Sequence, residues 1–389
     1  MRILYISASL VPPPVDLQAD RFFLLSEKLE GDVLQPVWFR KPEDVEALYG
    51  PGSYPVYTVG RFRYHWFLAY QYQGRRQRLA ILRFYLQKGR EIYRERKFAC
   101  IVAYSHMTTG LFAGILKFLT GARLVIEIVT APHLIYLTDQ PRVTLSARLR
   151  HLYSDICLYL SVLMSDRLHL LTSDQLDHYR WLKRKKNTVF HEFVPISMIQ
   201  RPPDEERESD LFILLIGAPW YLKGVDLLIE AFLRLAPDFP EVKLKILGHF
   251  PDRDVLEAMA AGSPQIEIMR ALLHHQALEV ISKATILALP SRCEGLARVL
   301  IEGMAAGVPL VGSDVGGIPT ILRHGENGFL VPVGDSHALE SRLRQLLSDS
   351  EMRRRMGDRG YLMAHTELDE KVYVEQFARM VEASVEGHE

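Results

Sequence analysis

An alternation of short and long segments runs through this chain twice. Short runs rich in Val, Ile and Leu are separated by longer stretches whose apolar residues recur at helical spacing. That pattern specifies parallel strands joined by crossover helices. In the first series the strand candidates are Arg2–Ser7, Cys100–Tyr104, Arg123–Thr130, Arg167–Thr172 and Thr188–His191, with helical patterns over Ala19–Leu29, Thr108–Leu119 and Leu145–Leu163. A polar, Pro-containing segment follows at 201–210 (RPPDEERESD). The alternation then restarts, with strands at Leu211–Gly217, Val242–Gly248, Gln265–Met269, Thr285–Leu289, Pro309–Gly312 and Gly328–Val331. At 389 residues the chain is too long for one ordinary core. The expected organisation is α/β: Rossmann-like domains over 1–200 and 211–367, a linker at 201–210, and a closing helix within 368–389. The apolar stripe of that helix runs through Val372, Phe377, Met380 and Val381.

Several function classes are disfavoured at once. Lys plus Arg and Asp plus Glu both number 47, so charge balance offers no case for nucleic acid as a partner. The three cysteines, Cys100, Cys157 and Cys293, form neither a metal pattern nor a disulfide framework. That usage fits a reducing compartment, and a cytoplasmic location is expected. The opening MRILYISASL reads as a first strand rather than a signal peptide. No apolar run reaches the roughly 18–20 residues that span a bilayer, so any membrane contact would be peripheral. No GxGxxG follows the first strand and no GxxxxGK[ST] occurs, against NAD and P-loop chemistry.

The segment richest in chemistry is Leu289–Pro332, LPSRCEGLARVLIEGMAAGVPLVGSDVGGIPTILRHGENGFLVP. It leaves a buried strand, turns through Pro290–Gly295 and enters a helix over about Ala297–Ala306, with Gly307 as its C-terminal cap. Glu294 therefore lies in the loop at the strand's carboxyl end, the edge where open α/β sheets bind ligands. Glu302 lies two helical turns further on. Backbone amides of Gly295, Leu296 and Ala297 point out of the helix start, where an anion such as a diphosphate is favoured. A loop carboxylate can accept hydrogen bonds from sugar hydroxyls, and a second one on the helix can hold a ribose diol. Taken alone, Glu302 would be a solvated helix position.

The spacing from Glu294 to Glu302, with GMAAGVPLVGSDVGGIP after it, resembles the E-x7-E signature of retaining glycosyltransferases of family 4. The resemblance is most specific from Leu211 to Val333. It implies the GT-B fold, in which two Rossmann-like domains face a cleft and the C-terminal helix crosses back to the N-terminal domain. It also implies a nucleoside diphosphate sugar as donor, with no further cofactor and no metal. Glu294 would bind the donor sugar, Glu302 the ribose, and Gly295, Leu296 and Ala297 the sugar and phosphate. The family pattern G-R-x4-K-G is matched by Gly217, Lys223 and Gly224, but Ala218 stands at the arginine position. Lys223 would neutralise the diphosphate, and the loss of arginine puts charge stabilisation of that leaving group in question.

Other positions follow more loosely. Gly248 ends a strand where the family approaches the nucleotide, residues around Arg270–Gln276 would line the base, and Gly316–Gly317 would pack beside the donor. In the N-terminal half the usual Gly-Gly pair is replaced by VPPPVDLQAD, which contains Asp16, and the stretch after the last strand reads HEFVP at His191–Pro195. His133 follows a strand near where the family places a cleft-facing histidine. His106 is a weaker candidate, and His274–His275 open a helix with no metal pattern around them.

A third feature is 61–97, with eleven cations against Glu91 and Glu95 and with Tyr64, Trp66, Phe67, Tyr70 and Tyr72 interleaved. It suits an anionic bilayer or an anionic lipid-linked acceptor, and equally a solvated helical face over core aromatics. The expected activity is glycosyl transfer to a carbohydrate, lipid-linked or small-molecule hydroxyl. The alternative is a non-catalytic sugar-nucleotide or glycan-binding protein on the same fold.

Overall fold

The computed structural model describes residues 1–10, 12–129, 145–203, 207 and 209–387. The chain divides into two compact units, one formed by Met1–His133, His151–Pro195 and Glu370–Glu389, the other by Leu134–Arg150 and Ile196–Asp369.

The first unit is built on an eight-stranded sheet. Its strands are β1 (Arg2–Ile6), β2 (Glu30–Val37), β3 (Val56–Val59), β4 (Phe62–Leu68), β5 (Cys100–Tyr104), β6 (Arg123–Ile128), β7 (Arg167–Leu170) and β8 (Asn187–Val189). Their order is β3-β4-β2-β1-β5-β6-β7-β8, with only the β3–β4 pair antiparallel. Side chains alternate across the pleat. Ile3 and Tyr5 face a core shared with Phe22, Phe62 and Phe377, whereas Leu4 and Ile6 face Tyr85, Leu116 and Leu158. The C-terminal helix Glu370–Glu386 belongs to this unit and buries Tyr373, Phe377, Met380 and Val381 in the first of those cores.

A buried polar cluster lies under that helix. Tyr5 donates to Glu127, His169 Nδ1 lies 3.0 Å from the same carboxylate, and Arg21 reaches both Tyr5 and, at 3.3 Å, the Tyr373 hydroxyl. Burial alone would raise the Glu127 pKa, but the hydrogen bond from His169 and the Arg21 charge outweigh it and hold the group below its ordinary value.

Three strands of this sheet, β2, β3 and β4, are absent from the sequence-based reading. β2 (EGDVLQPV) hides because Asp32 and Gln35 break its apolar run, yet both are buried with partners. Asp32 takes Arg63 and His65, the latter at 2.8 Å, and Gln35 donates to the Ser9 carbonyl at 2.6 Å. β4 separates the two readings of 61–97, placing Tyr64 and Trp66 as core aromatics and leaving Tyr70 and Tyr72 exposed. Tyr64 and Trp66 lie in the core, and the Trp66 indole donates to the Ser53 carbonyl at 2.8 Å. The cations beyond β4, except Arg96 and Lys97, sit on the helix Gly74–Glu95. The expected helix Ala19–Leu29 contracts to Arg21–Leu25, because Asp20 caps its start and Glu30 already opens β2. His106 is fully buried against the Ser154 hydroxyl, 3.1 Å away, and burial pushes its pKa down to about 4. Asp16 is exposed in its loop.

The second unit carries β9 (Phe212–Ile216), β10 (Lys243–Gly248), β11 (Ile266–Arg270), β12 (Ile286–Leu289), β13 (Leu310–Ser313) and β14 (Gly328–Val331). All pairs are parallel, in the order β11-β10-β9-β12-β13-β14. The chain runs outward from β9 through β10 to β11, then returns to the other side of β9 as β12. The loops after β9 and β12 therefore diverge at a topological switch point, the crevice where open sheets bind ligands. The segment 201–210, read from sequence as a linker, falls within this unit. Arg207 is buried there and donates to the carbonyls of Ser282 and Gly307 at 2.8 and 3.0 Å. Among the described residues no helix is long and apolar enough to cross a membrane.

Candidate functional site

The two loops at the switch point are locked together by close backbone approach. After β9 the chain turns at Gly217 (φ +142°), makes the short helix Trp220–Lys223 and ends it at Gly224 (φ +69°). A Cβ on Gly224 would lie 2.0 Å from the carbonyl oxygen of Pro290, so this crossing of the β9 and β12 loops requires glycine. The contact is reinforced from Arg292. Its amide donates to Leu222 at 2.8 Å, and its guanidinium forks both carboxylate oxygens of Asp226 at 2.7 Å. Burial works against the Arg292 charge, but the Asp226 pair outweighs it and raises the pKa.

Glu294 sits where these loops meet. It is 6% exposed, accepts from the Ser291 hydroxyl at 3.0 Å and is ion-paired with Lys223. A third loop holds it from behind. A Cβ on Gly316 (φ +54°) would stand 2.0 Å from the Glu294 carbonyl oxygen, and the Gly317 amide donates to Gly295 at 2.9 Å. Burial, with the Glu294 charge adding to it, pushes the neighbouring Cys293 thiol up to about 11.

Beyond Glu294 the chain enters the helix Arg298–Ala305. The amides of Gly295, Leu296 and Ala297 at its start have no acceptor among the described residues. They are the orphan donors of a helix N-terminus, turned to the carboxyl edge of the sheet. Glu302 is not solvated: it is 8% exposed, and His274 Nε2 lies 3.0 Å from its Oε1. At the ends of β10 and β11 a cavity of about 500 Å³ is lined by Gly248, His249, Phe250, Arg253, Met269, Arg270 and Ala271. Gly248 packs closely there, since a Cβ would meet the Phe250 ring at 2.6 Å and the Gly217 oxygen at 3.0 Å.

The second unit thus gathers Gly217, Lys223, Glu294, Gly295, Leu296 and Ala297 around the switch point. Glu302 lies on the adjoining helix, and Gly248 on the neighbouring strand end. His133 falls outside the described residues. Ala218 is exposed at the first turn, and Arg292, the nearby guanidinium, is committed to Asp226. Among the described residues no group of three or more His, Cys, Asp or Glu is placed to hold a metal ion. Sequence reasoning missed the Arg292–Asp226 fork, the Ser291 support and the His274 contact with Glu302. The first two lie inside the motifs already singled out, in PSRCEG and KGVD. The third joins segments 28 residues apart and leaves no local signal.

An arrangement of open amides, one ammonium and two buried carboxylates can hold an anion beside hydroxyl groups. Residues 198–363 match the family described as glycosyl transferases group 1. The N-acetyl-alpha-D-glucosaminyl L-malate synthase of Bacillus anthracis is 28% identical over 171 residues, covering 44% of this chain and 45% of that protein. The first curated relatives are matched over 15% to 62% of their own length. Likeness of fold extends further. Sucrose-phosphate synthase from Thermosynechococcus elongatus superposes with a TM-score of 0.74 at 16% identity, covering 97% of this chain and 98% of that one. Anabaena HepE in complex with UDP-glucose superposes with a TM-score of 0.70 at 14% identity, covering 98% and 100%. The family match thus covers residues 198–363, within the second unit, and the chain as a whole has the GT-B fold of these structures.

Proposed function

We propose that the chain is a retaining glycosyltransferase of the hexosyltransferase type. It moves a sugar from a nucleoside diphosphate donor to an acceptor hydroxyl, in the cytoplasm and without a bound metal. The observation that carries this reading is the meeting of Lys223, Glu294 and the open amides of Gly295–Ala297 at the switch point. In the transition state positive charge grows on the sugar ring and negative charge on the departing diphosphate. Lys223 and the amides stabilise the diphosphate, Glu294 orients the sugar hydroxyls, Glu302 holds the ribose, and the cavity beside Gly248 receives the base. Departure and attack share one face of the sugar, and the leaving phosphate takes the acceptor's proton. The acceptor is a carbohydrate or a lipid-linked molecule, the latter reached at an anionic bilayer through 61–97. The UDP-glucose complex of the fold relative HepE supports a nucleotide sugar as donor.

Thermal shift against UDP-, GDP- and ADP-sugars, with and without EDTA, tests the reading. Stabilisation by one donor that survives EDTA and vanishes in Glu302→Ala is expected, with transfer lost in Glu294→Ala. Full transfer by either variant would sink the site assignment. Ala218 favours a second reading, a non-catalytic sugar-nucleotide-binding protein. Donor binding with neither transfer nor hydrolysis would select it.

A further inference from the structure

Helices Gly74–Glu95, Thr108–Thr120 and the first-unit part of Leu145–Met164 form a layer on the sheet face that carries Leu4 and Ile6. They pack closely: a Cβ on Gly89 would meet Leu116 at 2.6 Å, one on Gly114 would meet the Met164 sulfur at 2.4 Å, and Ser161 donates to the His106 carbonyl at 2.7 Å. The inner side of the layer buries Tyr85, Ile92, Leu116, Leu158 and Val162.

The outer side should then be polar, as on an ordinary surface helix. It is not. Leu152 (57% exposed), Ile156 (51%), Tyr159 (54%) and Leu163 (60%) are spaced four, three and four residues apart, a single stripe along one helix face. Phe118, on the adjacent helix, is 73% exposed. A run of large exposed apolar side chains marks an interaction surface rather than scattered surface residues. Its rims are basic. Arg75, Arg76, Arg78 and Arg83 are exposed on Gly74–Glu95. On the other side Trp181 packs tilted against Tyr159, with ring centroids 5.8 Å apart, and its chain neighbours Arg180 and Arg184 are exposed. Asp155, the acid within the stripe, is bonded by the Tyr179 hydroxyl at 3.2 Å.

We infer that this face docks on the surface of an anionic bilayer. The aliphatic stripe and Phe118 enter the headgroup–acyl boundary, and the flanking arginines meet lipid phosphates. The chain as a whole is charge-balanced, so cations on both rims of its apolar stripe complement an anionic lipid surface specifically. The inference rests on the bilayer partner proposed above and changes where contact is made. The apolar anchor is the helix ending at Met164, and 61–97 contributes a basic rim rather than interleaved aromatics.

Sedimentation with phosphatidylcholine vesicles, with and without phosphatidylglycerol, tests it. The intact chain should bind the anionic vesicles and release them at high salt. Leu152→Glu/Ile156→Glu/Leu163→Glu should weaken binding at least about tenfold through the lost apolar contact. Arg75→Glu/Arg76→Glu should weaken it by roughly fivefold or more per cation. All the sites are exposed, so the variants should keep the native circular dichroism and the donor-induced thermal shift. The donor measurement keeps failure of this inference separate from failure of the transferase reading. Absence of binding to anionic vesicles, or unchanged binding by the triple Glu variant, overturns it. So does a concentration-dependent dimer that the same substitutions dissolve without any vesicle binding, since the occupant is then a second copy of the chain.

Discussion

Gly316 is in the left-handed region, and so is Gly325, but an added side chain would meet neighbours at only one of them. Their φ angles are +54° and +81°. A Cβ on Gly325 meets nothing within 4 Å, whereas one on Gly316 would stand 2.0 Å from the Glu294 carbonyl oxygen. An alanine at either position bears the left-handed strain, about 1–2 kcal/mol. At Gly316 the methyl must in addition retreat from 2.0 Å to the 3.4 Å of ordinary contact, and the atom opposing it is backbone. The loop that carries Glu294 therefore has to move by about 1.4 Å. A misplacement of about 1 Å in a catalytic constellation costs roughly a hundredfold in rate, and the carboxylate loses its alignment to the donor with it. Gly325→Ala should thus lose about 1–2 kcal/mol in urea unfolding and keep native donor binding. Gly316→Ala should lose about 3 kcal/mol or more, and its donor-induced thermal shift should nearly disappear. If the two variants lose the same stability and bind donor alike, Glu294 is not held in place by the third loop and the account of the site's rigidity is wrong.

Arg292→Ala removes a two-pronged bond to Asp226 from side chains only 19% and 23% exposed, leaving a half-buried carboxylate without its partner. A loss of about 2 kcal/mol in urea unfolding is expected, with little rescue by Arg292→Lys because an ammonium cannot form the fork; a change under about 0.5 kcal/mol would count against the clamp. His106 is buried and neutral with a folded pKa near 4, below the roughly 6.5 of an unfolded histidine. Its contribution is therefore complete above about pH 6.5 and is lost as pH falls toward 4, by up to about 3 kcal/mol. Stability of the first unit should fall across that window in the native chain and less steeply in His106→Gln; identical slopes would refute the assignment.

Legibility from sequence followed the local signal closely. All six strands of the second unit lie within one residue of their expected ends, because each is a short apolar run bounded by Gly, Pro or polar turns. The same runs set the loops, so Glu294 and Lys223 could be placed at the carboxyl edge before any coordinates. Their pairing could not, since 71 residues separate them and neither motif names the other. In the first unit β2 escaped detection because Asp32 is buried among Arg63 and His65, a tertiary arrangement that reverses the reading of an acid in an apolar run. For Tyr64 and Trp66 the sequence leaves a surface and a core reading equal, and only their burial along β4 decides for the core. The apolar stripe of Leu145–Met164 is plain in the periodicity, but whether its second face is covered depends on neighbours that sequence does not supply.

The Lys223–Glu294 pair bears on how a donor would bind. The ammonium proposed for the diphosphate is bonded to the carboxylate proposed for the sugar. Under the proposed function, binding exchanges partners: Lys223 turns to phosphate as the sugar hydroxyls take up Glu294. With Ala218 in place of the family's arginine, this exchange weighs more heavily on Lys223. The two side chains are 22% and 6% exposed, so breaking the pair costs about 1–2 kcal/mol after solvent screening. A donor recovers that through the sugar, whereas a free nucleoside diphosphate has no hydroxyls to offer Glu294. Glu294→Gln, which keeps the Ser291 hydrogen bond but frees Lys223, should therefore shift the two ligands in opposite directions. Affinity for the bare diphosphate should rise by roughly five- to thirtyfold, while affinity for the sugar nucleotide and the rate of transfer fall. Calorimetric titration with whichever of UDP, GDP and ADP binds the native chain decides it. Parallel losses for both ligands would mean that Glu294 does not restrain Lys223 and that the pair belongs to the scaffold, not to the exchange.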